Sequence, residues 1–519
     1  MSTNSASAGT NRGTRDTWTG QYGFLMAAIG SAIGLGNIWR FPGVAYTNGG
    51  GAFILPYLVA LLFVGVPVLF LDYALGHKYR GSAPLTFRRL NGKAESLGWF
   101  QVMVSFIITV YYAAIVAWAM MYAIYSVKLA WGDDTTDFFV NSFLHASGDL
   151  ISFEPVWNVL IPLVILWIFV LVVLARGISR GVEKANKVFL PLLAILFVFM
   201  VVRALFLPGA LDGLNAFFTP DWNAVFDANV WLAAFSQIFF SMSIAFGIML
   251  TYASYLPRKS NLAGTGLVAG FANSSFEILA GIGVFATLGF MAGQEGVGVN
   301  ELEGITGVGL SFMTFPAIIN QMPGGPLFGV VFFGSLVLAG ITSLLSLLQV
   351  VSGAFQDKFG YNARKSAVVV GSAAAIISVV LFATTTGLNT LDVVDAFINN
   401  VGVVFSAIVM ALLSYFSVPK IRALRNHLNM SSAVKVPKAW DWVVGLVVPA
   451  LLAVMLFQAL IGYLTEGYGG WSAGSANVLI FGWGTIAVAV IGSIILSKIP
   501  WNTDVPNEDI IRFKGEEDY

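Results

Sequence analysis

The chain has 519 residues, of which 57% are hydrophobic and 10% are charged, and its formal net charge is zero. Soluble domains carry about 25% charged residues, so this composition indicates a membrane protein with many spans. A chain without net positive charge is a poor binder of nucleic acid. A chain without cysteine forms no disulfide and no thiolate metal site.

The three histidines, His77, His145 and His427, are too far apart in the sequence to suggest a cluster. An enzyme is the least favoured class, because no nucleophile and base occur at a recognisable spacing.

Twelve apolar runs follow one another along the chain, each near the length of about 20 residues that crosses a bilayer as a helix. They predict an all-α polytopic protein with spans at approximately 21–44, 51–76, 98–128, 156–176, 183–206, 229–256, 262–291, 325–356, 366–385, 391–415, 438–464 and 475–498.

Lysine and arginine alternate with acidic residues from one connection to the next. Basic residues gather at 78–93, 176–187 and 420–438, whereas the connections at 133–137 and 295–303 are acidic. Cytoplasmic loops carry the positive excess, so both termini are predicted to be cytoplasmic, with tails at 1–20 and 499–519. The first residues are polar and lack the apolar segment of a signal peptide.

Two of the predicted spans contain residues that do not suit a lipid-facing helix. Span one includes GSAIGLGNIWRFP, Gly30 to Pro42, and span six includes FFSMSIAFG, Phe239 to Gly247. Non-helical backbone at membrane depth is tolerated only where protein or a water-filled cavity satisfies its polar groups. The alternative is that these small residues only let helices pack closely.

Interruptions at matching positions of two five-helix halves are typical of an inverted-repeat transporter with its site at the midplane. The pattern therefore predicts repeats at 21–206 and 229–415, with broken helices 1 and 6, and two added helices at 438–498.

In these stretches the chain resembles the neurotransmitter:sodium symporter family, and in particular its bacterial amino-acid transporters. The likeness extends from about Arg15 to the end of span twelve. It is carried by GSAIGLGNIWRFP and also by NGGGAF (48–53), RGISRGVEKANK (176–187), QIFFSMSIAFG (237–247), TYASY (251–255), AGITS (339–343) and LDVVDAF with NNVGVVF (391–405). The resemblance implies sodium-coupled symport by alternating access.

The resemblance also implies two sodium ions, each held by the hard oxygen ligands that this ion prefers. The substrate's own carboxylate would complete the first ion's shell. The first site would comprise Ala32, Asn37, Ser241 and Asn273, and the second Gly30, Ile33, Ala339, Thr342 and Ser343. The alternative for Thr342 and Ser343 is an ordinary hydrogen bond to a carbonyl one turn earlier in the helix.

The substrate implied by the resemblance is an amino acid. Gly34 leaves space and amides for a carboxylate, whereas members of the family that bind amines have an acidic residue there. The amides of Gly34 to Gly36 and the hydroxyl of Tyr112 would receive the carboxylate, and Ser243 with nearby carbonyls would receive the ammonium group.

The resemblance also implies a pocket for the substrate's side chain. This pocket is apolar, which favours a neutral substrate. Its residues are Ile108, Phe240, Ala245, Phe246, Ser343, Leu344 and Leu347. Ala245 and Leu344 add bulk relative to a leucine-transporting member, which favours small or medium side chains.

Two charged pairs occupy the family's gate positions. Arg40 and Asp395 would close the outer route, with Tyr112 and Phe240 as a lid; the alternative is an arginine that reaches the membrane interface and an exposed aspartate. The resemblance implies a second pair on the inner side, Arg15 and Asp357, with Trp18 and Tyr255 as aromatic neighbours.

Two acidic residues lie inside spans, where such groups usually mark function or a partnered network. Chloride-dependent members have a serine at the position of Glu277, so a carboxylate there predicts transport without chloride. Asp72 is interpreted as structural, held by nearby hydroxyls or amides.

The resemblance thus implies an importer of a neutral amino acid, working in a prokaryotic inner (plasma) membrane as a monomer or weak homodimer. Its partners would be the amino acid, Na⁺ and the lipid bilayer. The alternatives are symport of another small carboxylate or zwitterion, a sensor that binds without transporting and, more weakly, an ion channel.

Overall fold

The computed structural model describes residues 17–220, 222–302, 304–305, 307–416, 420–502 and 510–513. Ten helices within these ranges are long and apolar enough to cross a membrane without interruption. They are α2 (Gly51–Tyr79), α3 (Glu95–Ser126), α4 (Trp157–Leu174), α5 (Ile178–Leu205), α7 (Leu262–Glu295), α8 (Gly325–Phe359), α9 (Ala363–Phe382), α10 (Gly387–Phe416), α11 (Ala439–Thr465) and α12 (Val478–Lys498).

The other two crossings are interrupted, as the sequence predicts. Helix α1 consists of α1a (Gln21–Ala32) and α1b (Gly36–Thr47), which are bent by 52° at their junction. Helix α6 consists of α6a (Ala228–Ser241) and α6b (Ile248–Ala253), joined by six non-helical residues. The prediction of an all-α fold with twelve crossings, the first and sixth broken, is confirmed.

Several helices continue past the predicted spans. Helices α7 and α8 have 34 and 35 residues and end at Glu295 and Phe359, beyond the predicted ends at 291 and 356. Helix α5 begins at Ile178 and not at 183. Polar residues extend these helices, and hydropathy detects only the part that matches the thickness of the membrane.

The helices divide into a buried centre and a periphery. Helices α3 and α8 pack against each other along much of their length, and α1a packs against α5, α7 and α8. Peripheral helices expose large apolar side chains, such as Ile165, Ile195, Ile376, Phe457 and Ile495. An apolar exterior of this kind suits contact with lipid.

The two ends of the bundle differ in charge. Lys78, Arg258 and Lys358 lie at one end, which we call the basic face, and Asp212 and Glu301 lie at the other, the acidic face. Short helices at Ala83–Leu90 and Lys420–Ser431 connect spans at the basic face, and helices at Ala210–Phe218 and Phe315–Gln321 do so at the acidic face.

The interpretation of the histidines as scattered is wrong for two of them. His77 Nδ1 lies 2.8 Å from His427 Nε2, and His77 Nε2 lies 2.9 Å from the carbonyl oxygen of Pro257. The short helix Lys420–Ser431 carries His427 back against the end of α2, a contact over 350 residues that local sequence does not reveal. The described residues contain no group of three or more side chains of the type that binds a transition metal.

Candidate functional site

The first helix is interrupted because its next amides bond to side chains. Ile33, directly after α1a, is extended, with φ −74° and ψ 93°. The amide of Gly34 donates to Asn37 Oδ1 at 2.8 Å, and the amide of Leu35 donates to the hydroxyl of Tyr112 at 3.2 Å. These amides would otherwise continue the helical ladder, so carbonyl groups at the end of α1a are released from it.

This arrangement differs from the prediction for the carboxylate-binding amides. Two of the three expected donors, the amides of Gly34 and Leu35, already have side-chain acceptors. Since Tyr112 accepts from Leu35 through its oxygen, its own O–H proton remains available for another acceptor. A carboxylate at this point would therefore rely on Tyr112 and on the start of α1b at Gly36.

The break in α6 depends on left-handed backbone. Ser243, Ala245 and Gly247 have φ values of 53°, 66° and 90°. Glycine adopts this region freely, but other residues there cost about 1 kcal/mol or more. The surrounding structure must supply contacts that hold Ser243 and Ala245 in this conformation.

Side chains from three neighbouring helices hold the α6 break. Asp72 of α2 accepts from the amide of Ala245 at 2.9 Å, and Ser406 of α10 donates to the carbonyl of the same residue at 2.8 Å. Ser105 of α3 donates to the carbonyl of Phe246 at 2.7 Å. Asp72 thus contacts an amide, the kind of structural contact that the sequence predicts.

The two breaks meet at a single carbonyl oxygen. The backbone oxygen of Ser31 accepts from the hydroxyl of Ser243 at 3.0 Å and from that of Ser343 at 3.3 Å. These bonds join α1, the α6 break and α8. Ser31 has no predicted role, although it lies within the glycine-rich motif.

A cavity of about 660 Å³ lies between the two breaks. Most predicted substrate residues line it: Ala32, Gly34, Gly36, Ile108, Tyr112, Phe240, Ser241, Ser243, Phe246, Ser343 and Leu347. Ala245 and Leu344 do not, and both are fully buried. The lining also includes residues without a predicted role, among them Gln237, Ile115, Ile248, Leu388, Asp392 and Asn399.

Three of the four residues predicted for the first sodium ion, all except Ala32, form one hydrogen-bonded chain. Asn37 Nδ2 donates to Asn273 Oδ1 at 2.9 Å, and Asn273 Nδ2 donates to Ser241 Oγ at 3.1 Å. Ser241 in turn lies 3.4 Å from Glu277 Oε2. The side-chain oxygens are neutral and hard, the donor type that fits Na⁺.

The residues predicted for the second ion also converge. Thr342 Oγ1 donates to the carbonyl of Ala339 at 2.9 Å, a bond within α8 of the kind that a helical threonine commonly makes one turn back. A Cβ placed on Gly30 would lie 3.6 Å from Thr342 Cβ, so the end of α1a and the middle of α8 face each other closely. Hydroxyl and carbonyl oxygens dominate here too.

Comparison with known proteins agrees with this geometry. The model of the sodium:neurotransmitter symporter family matches residues 15–135 and 131–502. An uncharacterised sodium-dependent transporter of Methanocaldococcus jannaschii is 41% identical over 93% of this chain and 98% of its own length. The chain belongs to the sodium:neurotransmitter symporter family.

Two further relatives illustrate the range of this family. The human sodium- and chloride-dependent creatine transporter 1 is 30% identical, covering 63% of the symporter and 58% of the human protein. The crystal structure of MhsT in complex with L-phenylalanine superimposes with a TM-score of 0.72 at 28% identity, covering 86% of this chain and all of MhsT. The predicted class, a membrane transporter and not an enzyme, is confirmed.

The symporter's cavity extends toward the acidic face. Its lining reaches Gly307 and Tyr468, which lie in the connections between spans at that end. The Arg40 guanidinium carbon lies 4.2 Å from the centre of the Phe240 ring, and Asp395 accepts from Tyr111 at 2.5 Å. No ion pair within 4 Å joins Arg40 to Asp395, the predicted outer gate, in the described ranges.

Aromatic side chains pack together at the basic face, where the inner gate is predicted. Trp18, which is 3% exposed, donates from Nε1 to the carbonyl of Tyr252 at 2.8 Å, and its ring lies 6.5 Å from that of Tyr255. Asp357 accepts from the amide of Ser82 at 2.7 Å. Its predicted partner Arg15 lies outside the described residues.

Glu277 is fully buried beside the first sodium residues. Its carboxylate accepts from Gln237 Nε2 at 2.6 Å and from the hydroxyl of Tyr57. Gln237 opens the QIFFSMSIAFG motif, but its contact with α7 is not evident from the sequence. The symporter therefore has a hydrogen-bonded carboxylate directly beside Ser241 of its candidate ion site.

Proposed function

We propose that the protein is a sodium-coupled symporter that imports a neutral amino acid by alternating access, without chloride. The observation that carries the proposal is the cavity between the two breaks. At one end it has hydrogen-bonding groups suited to a zwitterion, next to the oxygen network of Asn37, Asn273 and Ser241.

The substrate's carboxylate would contact Tyr112 and the start of α1b, where the dipole of a half-helix favours negative charge. Ser243 Oγ donates to the carbonyl of Ser31 and keeps its lone pairs for an ammonium group. If the carboxylate also binds the first sodium ion, each ligand raises the affinity for the other by the same factor.

The side chain of the substrate would lie among Ile108, Phe246 and Leu347. The charged residues that line the cavity are Arg40, Asp392 and Asp395, and the cavity extends through them toward the acidic face. A charged side chain among the apolar residues would lose its hydration without gaining a partner, which disfavours acidic and basic amino acids. The proposal favours small or medium apolar substrates, and the L-phenylalanine bound by MhsT extends the range worth testing.

Chloride independence rests on Glu277. Its carboxylate is buried and accepts from three side chains, Gln237, Tyr57 and Ser241 of the candidate ion site. A fixed negative charge there would compensate the sodium charge that chloride compensates in chloride-dependent members of the family. Two sodium ions moving with a zwitterion would also gain about 2.3 kcal/mol per charge per 100 mV of membrane potential.

The topology follows from the same proposal. The basic face, closed by Trp18, would be cytoplasmic in the plasma membrane, with both termini there. The cavity would then be open to the outside. Residues 21–206 and 229–415 would form the two repeats, and 438–498 the added pair.

This function can be tested by a ligand screen followed by a transport assay. Purified protein is heated with each neutral, acidic and basic L-amino acid, and with small betaine and sulfonate zwitterions, in NaCl or KCl. Because a ligand that binds only the folded state raises its stability, we expect sodium-dependent increases in Tm for neutral amino acids alone. The best ligand is then offered to proteoliposomes with an inward sodium gradient, where accumulation is expected. Binding without accumulation would contradict symport and favour a sensor.

A further inference from the structure

Two polar side chains of α5 contact glycines on α1a. A Cβ on Gly23 would lie 2.1 Å from Glu183 Oε1, and a Cβ on Gly30 would lie 2.2 Å from Asn186 Oδ1. Both distances are far shorter than a carbon–oxygen van der Waals contact, so only glycine leaves room for these oxygens. The two contacts lie along one α1a–α5 interface.

The first of the two side chains has its hydrogen bonds within the interface. Glu183 accepts from the amide of Thr19 at 3.0 Å, from the hydroxyl of the same residue and from Lys187 Nζ at 2.6 Å. These contacts fasten the start of α1 to α5. They account for both of its carboxylate oxygens.

Asn186 is different, because only its nitrogen has a partner. Nδ2 donates to the carbonyl of Val182 at 2.9 Å, which fixes the orientation of the amide. Oδ1 is fully buried and has no hydrogen-bond donor in the part of the chain that the structure describes. A buried acceptor without a donor costs about 1–3 kcal/mol, so such an atom calls for an explanation.

The position of Asn186 Oδ1 supplies an explanation for its missing donor. The point where Gly30 lacks a Cβ lies 2.2 Å from Asn186 Oδ1 and 3.6 Å from Thr342 Cβ. Gly30 and Thr342 belong to the second sodium site of the proposed function. An amide oxygen with free lone pairs at their junction is the ligand type that a hard cation takes.

We propose that Asn186 supplies an additional oxygen ligand to the second sodium ion, which then joins α5 to α1a and α8. This inference rests on the proposed function and adds a residue from a third helix to that site. It implies that the bound ion holds α1a against α5, so that release of the ion frees the contact between these two helices.

Sodium binding to the substrate-free protein tests this role without any measurement of transport. The readouts are the rise in Tm as NaCl replaces KCl at constant ionic strength, and equilibrium binding of ²²Na⁺. The sodium midpoint is the Na⁺ concentration that gives half of the maximal effect. We expect N186A to raise this midpoint about fivefold or more, equivalent to about 1 kcal/mol. N186D, which keeps an oxygen at this position, should leave the midpoint unchanged or lower it.

The matched control is E183Q, which alters the same interface one turn away without changing any oxygen near Gly30. It should leave the sodium midpoint within about twofold of the wild type. The double variant N186A/T342A should show less than the sum of the single effects, since both residues would hold one ion.

Four outcomes distinguish the possibilities. A raised midpoint in N186A, with rescue by N186D, supports the ligand role. An equal loss of Tm at all sodium concentrations with an unchanged midpoint overturns it and leaves Asn186 a packing residue. Additive effects in the double variant also overturn it. A wild type that fails to respond to sodium would contradict the proposed function itself.

Discussion

Replacement of Gly34 gives the most direct test of the substrate site. A Cβ at this position would lie 2.8 Å from Ser343 Oγ and 3.1 Å from the hydroxyl of Tyr112. The backbone of Gly34 needs no positive φ, so G34A perturbs these two hydroxyl groups more than the fold. The carboxylate of the proposed substrate would then lose its hydrogen bond from the Tyr112 hydroxyl, or that hydroxyl would be displaced.

The magnitudes follow from ordinary interaction energies. A hydrogen bond to a charged group contributes about 1.5–3 kcal/mol, so G34A should weaken substrate affinity about tenfold to about 150-fold. G34D adds a charge beside the substrate's carboxylate. At about 4 Å and an effective dielectric constant of about 20, that repulsion is about 4 kcal/mol, which corresponds to a loss of about a thousandfold.

The assay is sodium-driven uptake of the best neutral amino acid into proteoliposomes, together with substrate-induced shifts in Tm. The matched control is Gly334→Ala in α8, where an added Cβ meets no atom within 4 Å. It should transport as the wild type does. The proposed position of the substrate's carboxylate would be refuted if G34A and G34D kept the wild-type half-saturating substrate concentration and the wild-type Tm without substrate.

Three other predictions concern the ions and the inner route. Replacement of chloride by gluconate should leave uptake unchanged if Glu277 supplies the negative charge as proposed; a large loss of rate would refute this role. T342A should raise the sodium midpoint about tenfold or more, whereas T342S, which keeps the hydroxyl, should not; equal midpoints in the two variants would exclude Thr342 as a ligand. W18A removes a buried indole, which typically costs about 3–5 kcal/mol, so it should favour opening at the basic face. Since the natural chain has no cysteine, a cysteine in place of buried Thr251 would report this opening, and an unchanged alkylation rate in W18A would refute it.

The sequence is sufficient for the architecture and for much of the site. Runs of apolar residues define the twelve crossings, and the glycines around Gly34 indicate the first break because the membrane penalises unpaired backbone. Family motifs bring Asn37, Ser241 and Asn273 into one expected site, and the structure does bring them together.

Contacts between distant segments could not be predicted in this way. The bond from Asp72 to the amide of Ala245 spans 173 residues, and the approach of Asn186 to Gly30 depends on how α5 packs on α1a. The same holds for His77 and His427. Hydropathy and local motifs describe each helix separately, whereas these contacts depend on the relative positions of helices.

The attachment of the α6 break has a consequence for how the molecule can move. Asp72, Ser105 and Ser406 join Ala245 and Phe246 to three uninterrupted helices, α2, α3 and α10. Among the residues that the structure describes, the backbone of the α1 break is bonded to only two uninterrupted helices, through Tyr112 of α3 and Ser343 of α8, and otherwise to its own Asn37 and to Ser243 of the other break. We therefore expect the α6 break to be the stiffer half of the binding site. It would act as a template that keeps its shape during the proposed transport cycle, whereas the α1 break would be the half that moves. Substitutions in the template should alter which molecules are recognised, and substitutions around α1a should alter how quickly they are released.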